Sequence, residues 1–264
     1  NLLPGRFSGC SHSSRESSVL HKALVTTALM LLCAGLCAAP AKASEWQFDG
    51  VSRIVAIADI HGAHGAMVDA MLAAGVVDEQ LSWVAEDTHL VIVGDILDRG
   101  PDSRQVMDLL MQLEEQAAAA GGRVHVLIGN HEAMNLVGDL RYVSSSEYAA
   151  FADEETAAER ERWFQEYARS RAPADQDPEG LATVFRQKFP AGFFAHRRAF
   201  GSDGKYGAWL LSKPAIVVIN GTAFVHGGLS PMVREYGLDG VSLWALGFED
   251  DERDFRIGAT ILQR

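Results

Sequence analysis

The stretch that most constrains this chain is Leu90-Val91-Ile92-Val93 running straight into Gly94-Asp95-Ile96-Leu97-Asp98-Arg99-Gly100. Four apolar residues in a row that end at Gly-Asp predict a strand buried on both faces, as in a parallel sheet, with a loop at its C-terminal end. Ligands of open α/β sheets collect at that edge. The loop carries two carboxylates and a guanidinium, and Pro101 follows it. A carboxylate suits a hard or borderline cation, and an Arg fork suits a phosphate. Two further apolar runs lead to comparable groups: Arg53-Ile54-Val55-Ala56-Ile57-Ala58 to Asp59-Ile60-His61, and residues 123–128 to Gly129-Asn130-His131-Glu132. A fourth segment, His226-Gly227-Gly228, comes later.

Between these segments the pattern switches to a helical period. Residues 63–74 place Met67, Ala70, Met71 and Ala74 on one face, with Gly75 as a stop. Residues 81–86 read as linker. Asp102 or Ser103 is expected to cap a helix to about residue 120, with Val106, Leu109, Leu110 and Leu113 inward and Gly121-Gly122 ending it. Strand, helix, strand, helix, strand implies parallel pairing with right-handed crossovers. Downstream, Asn220-Gly221 between two β-rich runs predicts a hairpin that delivers His226 to a strand end. Over residues 144–172 charges alternate with Phe151, Trp163, Phe164 and Tyr167, which predicts one or two solvent-exposed helices with an aromatic inner face. Glu147 is counted among those charges. A turn-rich break at 172–178 and a helix over 181–189 follow. The helical insertion spans about 144–205 and reads either as a cap over the site or as a solvated spacer.

The ends of the chain have their own character. His21-Lys22 precedes an apolar stretch over residues 23–39, and Ala41-Lys42-Ala43 forms an A-x-A cleavage pattern. Residues 1–43 are therefore expected to be upstream sequence plus a signal peptide. Residues 44–264 then form the mature domain, periplasmic or secreted, with no stable membrane insertion after cleavage. The alternative is an uncleaved anchor. Cys10, Cys33 and Cys37 are the only three cysteines. The mature chain then has no thiol for a disulfide, a Cys-zinc site or a nucleophile. A formal net charge of −12 argues against a nucleic-acid partner held by broad phosphate neutralisation. It leaves room for a small phosphate-bearing substrate gripped by a local Arg.

Read together, the four segments predict a two-metal phosphoesterase site. In an extended segment residues i and i+2 point the same way, so Asp59 and His61 are expected to converge on one cation. Asp95 is the natural bridge to a second ion about 3.5–4 Å away. Asn130 and His226 would complete that second site. A mixed nitrogen and oxygen donor set suits Zn, Mn or Fe better than Mg or Ca. Arg99 is expected to bind phosphoryl oxygens. His131 is expected to act as general acid, oriented by Asp98. Asn130 and Arg141 are further candidates for substrate contact, although Arg141 also reads as an ordinary surface arginine. Each segment alone has a plainer explanation as a helix cap, turn or ion pair; what points to a site is four of them in order, each after an apolar strand. His64, His125 and His196 read as structural.

The four segments resemble the calcineurin-like metallophosphoesterases, and within them the phosphoprotein phosphatase branch. That family carries Gly-Asp-x-His-Gly, Gly-Asp-x-x-Asp-Arg-Gly, Gly-Asn-His-Glu and His-Gly-Gly; Ala58 stands here in place of the first Gly. Ala133-Met134-Asn135-Leu136, Arg141-Tyr142 and Trp209-Leu210 resemble the bacterial-type Shewanella-like phosphatases. The resemblance covers roughly residues 52–235. It implies an αββα sandwich of two mixed sheets flanked by helices, an α/β fold. It implies Asp59, His61 and Asp95 on one metal, and Asp95, Asn130 and His226 on the other. The implied reaction is hydrolysis of phosphate monoesters, in phosphorylated proteins or small molecules, by a metal-activated water. A dinucleoside polyphosphate hydrolase uses the same motifs and stays open as an alternative. The family has a further metal-binding His downstream, and no His follows His226 here. The sequence is therefore expected to be truncated at its C-terminus, and an inactive fragment is the third reading.

Overall fold

The computed structural model describes residues 46–170 and 177–229. The targeting segment with its cysteines, part of the turn-rich break, and the chain from Ser230 onward, including the acidic stretch at 248–252, lie outside the described residues. In order, the elements are β1 (Gln47–Phe48), β2 (Ile54–Ile57), α1 (His64–Ala73), β3 (His89–Ile92), α2 (Ser103–Ala120), β4 (Arg123–Val126) and α3 (Asn130–Val137). Next come α4 (Ser145–Ala149), a 3₁₀ turn (Ala152–Glu154), α5 (Ala157–Arg169), α6 (Pro178–Lys188), α7 (Phe193–Ala199) and α8 (Lys205–Leu211), and then β5 (Ile216–Ile219) and β6 (Thr222–Val225).

The apolar runs form a parallel three-stranded sheet in the order β2-β3-β4, with Val55 opposite Leu90 and Leu90 opposite Val124. The second sheet has the order β1-β5-β6: β1 runs parallel to β5, and β5 and β6 form the expected antiparallel hairpin. Asn220 (φ 50°) and Gly221 (φ 77°) supply the two left-handed residues that a tight hairpin turn needs. Sequence periodicity gave no sign of β1, because two residues carry no period. Tertiary partners hold it: Gln47 pairs with Val218, and the Asn220 side chain accepts from Val51 N (3.1 Å) and donates to Val51 O (2.8 Å).

The sheets face one another across Val91, Leu127, Val217 and Ile219, with Phe48 and Phe224 packed against them. The outer face of the parallel sheet is covered by α1 and α2. On α2, Val106, Leu110, Leu113 and Ala117 are all fully buried, which is the stripe expected at helical spacing. Its N-terminus differs from expectation. Asp102 stands at the N-cap position without a side-chain cap bond, its carboxylate accepting instead from Gln105 Nε2 (3.1 Å), and Ser103 Oγ is turned away to the Asp98 amide (3.2 Å) and to Glu147.

The aromatic inner face of the insertion is present: Tyr148, Tyr167, Phe185, Phe189, Phe193 and Phe194 form one buried cluster. The insertion is nonetheless no loose spacer. Phe151, Ala195 and Phe200 belong to the main core, and Arg104 Nη1 of α2 donates to Ala150 O (2.5 Å). Glu147 corrects the exposed assignment most clearly: it is 4% exposed, because it faces the Gly94–Gly100 loop rather than solvent. Helix α7 falls within the segment expected to be helical, and α8 lies just beyond it; each has only seven residues, too few to show a period of its own.

Three structural histidines make the fold acid-sensitive. His125 Nε2 lies 3.0 Å from His89 Nδ1 on the neighbouring strand, and Phe48 packs edge-on against both rings. Burial, then His89 and Arg123, lowers the His125 pKa to about 3. Burial, then Arg197, lowers that of His196 to about 3, and burial also lowers His89. The folded chain thus holds these rings neutral, while the unfolded chain protonates them near pH 6.5. Their contribution is complete above about pH 6.5; for His125 and His196 it falls away as pH drops toward 3, by about 1.4 kcal/mol per pH unit for each ring, and His89 acts in the same direction. Urea unfolding between pH 7.5 and 4.5 is expected to show this loss, and His196→Leu to flatten it by about one proton. An unchanged slope in His196→Leu would contradict the neutral, buried assignment.

Candidate metal centre

The four segments meet at one end of the facing sheets. Cross-bonds fasten the loop after β2 to the loop after β3: His61 N donates to Asp95 O, Gly62 N to Ile96 O, and Gly100 N to His61 O, each at 2.9 Å. Asp59, His61, Asp95, Asp98 and Arg99 all have left-handed φ, between 47° and 69°. For non-glycine residues this conformation costs energy and persists where surrounding structure dictates it, commonly at functional sites. The motif glycines are small because atoms crowd them. A Cβ on Gly129 would fall on Asp95 Oδ1, one on Gly94 on Gly129 and the His226 ring, and one on Gly100 on His61 O.

Acceptors converge on Asp95. His226 Nδ1 is 2.8 Å from Val93 O, so its proton sits there and Nε2 presents a lone pair. That nitrogen lies 3.1 Å from Asp95 Oδ2 and 3.3 Å from Asn130 Oδ1. Three acceptors thus face one another with no hydrogen to share, an arrangement that a cation satisfies. His61 is held in the same way, with Nδ1 2.9 Å from Leu97 O; its Nε2, 3.7 Å from Asp95 Oδ2, takes an N–H of Arg99 at 2.9 Å. A backbone carbonyl on the far ring nitrogen is the usual support of a metal-ligating His. The residues present therefore fit metal ions. Two sets of three have donor atoms within 4.8 Å of one another: His61, Asp95 and His131, and Asp59, Asp95 and His226. Asp59 falls with His226 rather than with His61. Asp59 and His61 both have left-handed φ, so this segment is not the extended one that the i, i+2 spacing assumes.

Beside these acceptors lies a hydrogen-bonded pair. His131 Nδ1 is 2.6 Å from Asp98 Oδ2, and both side chains are 1% exposed. The Asn135 side chain, one turn along α3, donates to Asp98 Oδ1 at 2.9 Å. Arg99 spans the site, with Nη1 2.9 Å from His61 Nε2 and Nη2 3.1 Å from His131 Nε2. The half-exposed Tyr142 ring flanks His131 at 5.1 Å, and its carbonyl accepts from Arg99 N at 3.1 Å. Arg141 stands apart from this group. It pairs with Asp139 at 2.7 Å with its side chain 63% exposed, the surface arrangement weighed for it above.

Two carboxylates that had no assigned role brace the site. Glu132 is fully buried and accepts from the amides of Asp95 (2.8 Å), Gly129 (2.8 Å), Ile96 (2.9 Å) and Leu97 (3.3 Å). Burial pushes its carboxyl up, and these amides oppose that shift. Glu147 accepts from the Asp98 amide (3.0 Å), and burial raises it too. Glu147 had a sequence signal: it stands three residues after the N-cap Ser144 as the closing member of a capping box, whereas Glu132 reaches back to the N-cap amide of Gly129, a glycine with no side chain to mark the position.

Residues 52–256 match the calcineurin-like phosphoesterase family, and the chain belongs to it. The fold is the mixed α/β arrangement of that family, two small sheets flanked by helices. More particularly, the chain is similar to Shewanella-like protein phosphatase 2 of Arabidopsis thaliana, 33% identical over 217 residues that make up 78% of this chain and 54% of the relative. Shewanella-like protein phosphatase 1 of Plasmodium berghei is 25% identical over 191 residues, 72% of this chain and 43% of that protein. Among solved structures, the cold-active protein-tyrosine phosphatase of a psychrophilic Shewanella species superposes with a TM-score of 0.55 at 30% identity, over 76% of this chain and 50% of that one. The chain spans about half the length of the relatives it matches.

Proposed function

We propose that this chain carries the metal centre of a phosphoprotein phosphatase, hydrolysing phosphate monoesters. The observation that carries this reading is the convergence of acceptors on Asp95, with His61 and His226 each locked by a backbone carbonyl. Asp59, His61, Asp95, Asn130 and His226 would hold two cations. Such ions supply Lewis acidity toward phosphoryl oxygens and a water acidic enough to attack near neutral pH. The protein's own groups do the rest. Arg99 offers its fork to the phosphoryl oxygens. His131, held by Asp98, gives its proton to the leaving oxygen, a contribution worth roughly 10²–10⁴-fold. Phosphatases among the relatives support a phosphorylated protein as substrate. The targeting pattern in residues 23–43 supports action in the periplasm or outside the cell.

The test is hydrolysis of p-nitrophenyl phosphate by the purified chain loaded with Mn²⁺, Zn²⁺ or iron. Activity is expected to vanish on chelation and to return when metal is restored; turnover by metal-free protein would overturn the proposal. A preference for diadenosine tetraphosphate over phosphopeptides would replace the phosphoprotein substrate.

A further inference from the structure

The Asp98–His131 pair is held from behind by a residue that lies in none of the four motifs. Arg197, on α7 of the helical insertion, is 6% exposed. Its Nη1 donates to Asn135 O at 2.8 Å, in the last turn of α3. The Gly138 amide bonds that same carbonyl at 3.2 Å as α3 ends. Asn135 then turns its side chain the other way, to Asp98 Oδ1 (2.9 Å) and His131 O (3.1 Å). Guanidinium, helix end, amide, carboxylate and imidazole thus form one buried line. A cation suits a helix C-terminus, where unpaired carbonyls concentrate negative charge. It is costly here all the same: among the described residues Arg197 makes no salt bridge, and its Nε is buried with no partner. An apolar side chain of the same size would fill the space at lower cost if packing were the only requirement.

We propose that Arg197 is a positioning residue for His131: by pinning the end of α3 it sets Asn135 against Asp98, and Asp98 against the imidazole. The insertion then acts on the site as a buttress rather than as a cap. This role rests on the reading that His131 protonates the leaving group.

The discriminating measurement is leaving-group dependence, because a general acid matters more as the leaving group becomes poorer. Arg197→Met keeps length and packing but removes the charge and the donor. In the metal-loaded chain its kcat on phenyl phosphate is expected to fall about tenfold further than its kcat on p-nitrophenyl phosphate, with KM and the thermal midpoint little changed. Asn135→Ala should give the same skew, the double variant should be no worse than the worse single one, and Arg197→Lys should recover most of the loss. A second readout needs no turnover. The hydrogen-bonded His131 Nδ1–H proton, followed by NMR, should exchange with water about tenfold faster in Arg197→Met as the Asp98 contact loosens.

Equal losses on the two substrates, or an Nδ1–H signal that does not change, would overturn the role of Arg197 while leaving the phosphatase reading intact. A wild-type chain that hydrolyses neither ester, yet shows the NMR change, would reject the phosphatase reading and retain the positioning contact. Should Arg197→Met fail to fold, Arg197→Gln, too short to reach Asn135 O, carries the same comparison, with the same skew expected and equal losses again overturning the role.

Discussion

Asp95→Asn is expected to reduce hydrolysis of p-nitrophenyl phosphate to background and to strip metal from the protein while leaving the fold intact. Asp95 Oδ2 lies 3.1, 3.7 and 3.9 Å from the Nε2 atoms of His226, His61 and His131, and it is the one anion common to both sets of converging donors. Its other oxygen accepts from His131 N at 3.1 Å. Asn has the same shape, and its carbonyl keeps that amide bond. What changes is that a negative charge among acceptors becomes an NH₂ that donates to His226 Nε2. The variant therefore satisfies the acceptors internally, which is what a metal ion would otherwise do. Metal analysis, turnover and thermal unfolding would be read on one preparation. Near wild-type turnover with bound metal would sink the assignment of Asp95 as the shared ligand.

Glu132→Gln is expected to cost both stability and activity. Each carboxylate oxygen accepts two backbone amides: Oε2 takes Asp95 N and Gly129 N, and Oε1 takes Ile96 N and Leu97 N. An amide side chain can serve one of these pairs and must aim its own N–H groups at the other. Two buried amides are then orphaned, at about 1–3 kcal/mol each. A loss of roughly 3 kcal/mol in urea unfolding is expected. Turnover should fall alongside, because the orphaned amides belong to the loop that sets Asp95 and Asp98. A near-neutral Glu132→Gln would mean that the native carboxyl is protonated, as burial alone would have it, and that the four-amide cradle is not what fixes the loop.

The parts of the fold that read directly from the residues are those set by neighbours in the chain. The runs before Asp59, Gly94 and Gly129 became β2, β3 and β4, α2 buried the stripe that its spacing marked, and Asn220-Gly221 made the hairpin. The candidate ligands were legible because each follows a strand end. The backbone that carries them was not: Asp59 and His61 sit in left-handed turns that no spacing rule foresees. Glu147 and Arg197 stayed hidden for another reason. Glu147 lies in a segment where charges alternate, and Arg197 in a seven-residue helix too short to show a face; only tertiary packing turns each of them inward.

The pairing of β1 with β5 sets an order of assembly. Val51 and Asn220 are 169 residues apart, so the second sheet waits on one of the most distant contacts in the described chain. The parallel sheet with α1 and α2 closes through neighbours much nearer in sequence and has no such delay. As the chain folds, the β2-β3-β4 unit therefore closes first, and the Val91 and Leu127 face remains uncovered until the hairpin packs on it. An apolar face bared for that interval is where a nascent chain of this kind sticks to others, and where a chaperone is of most use.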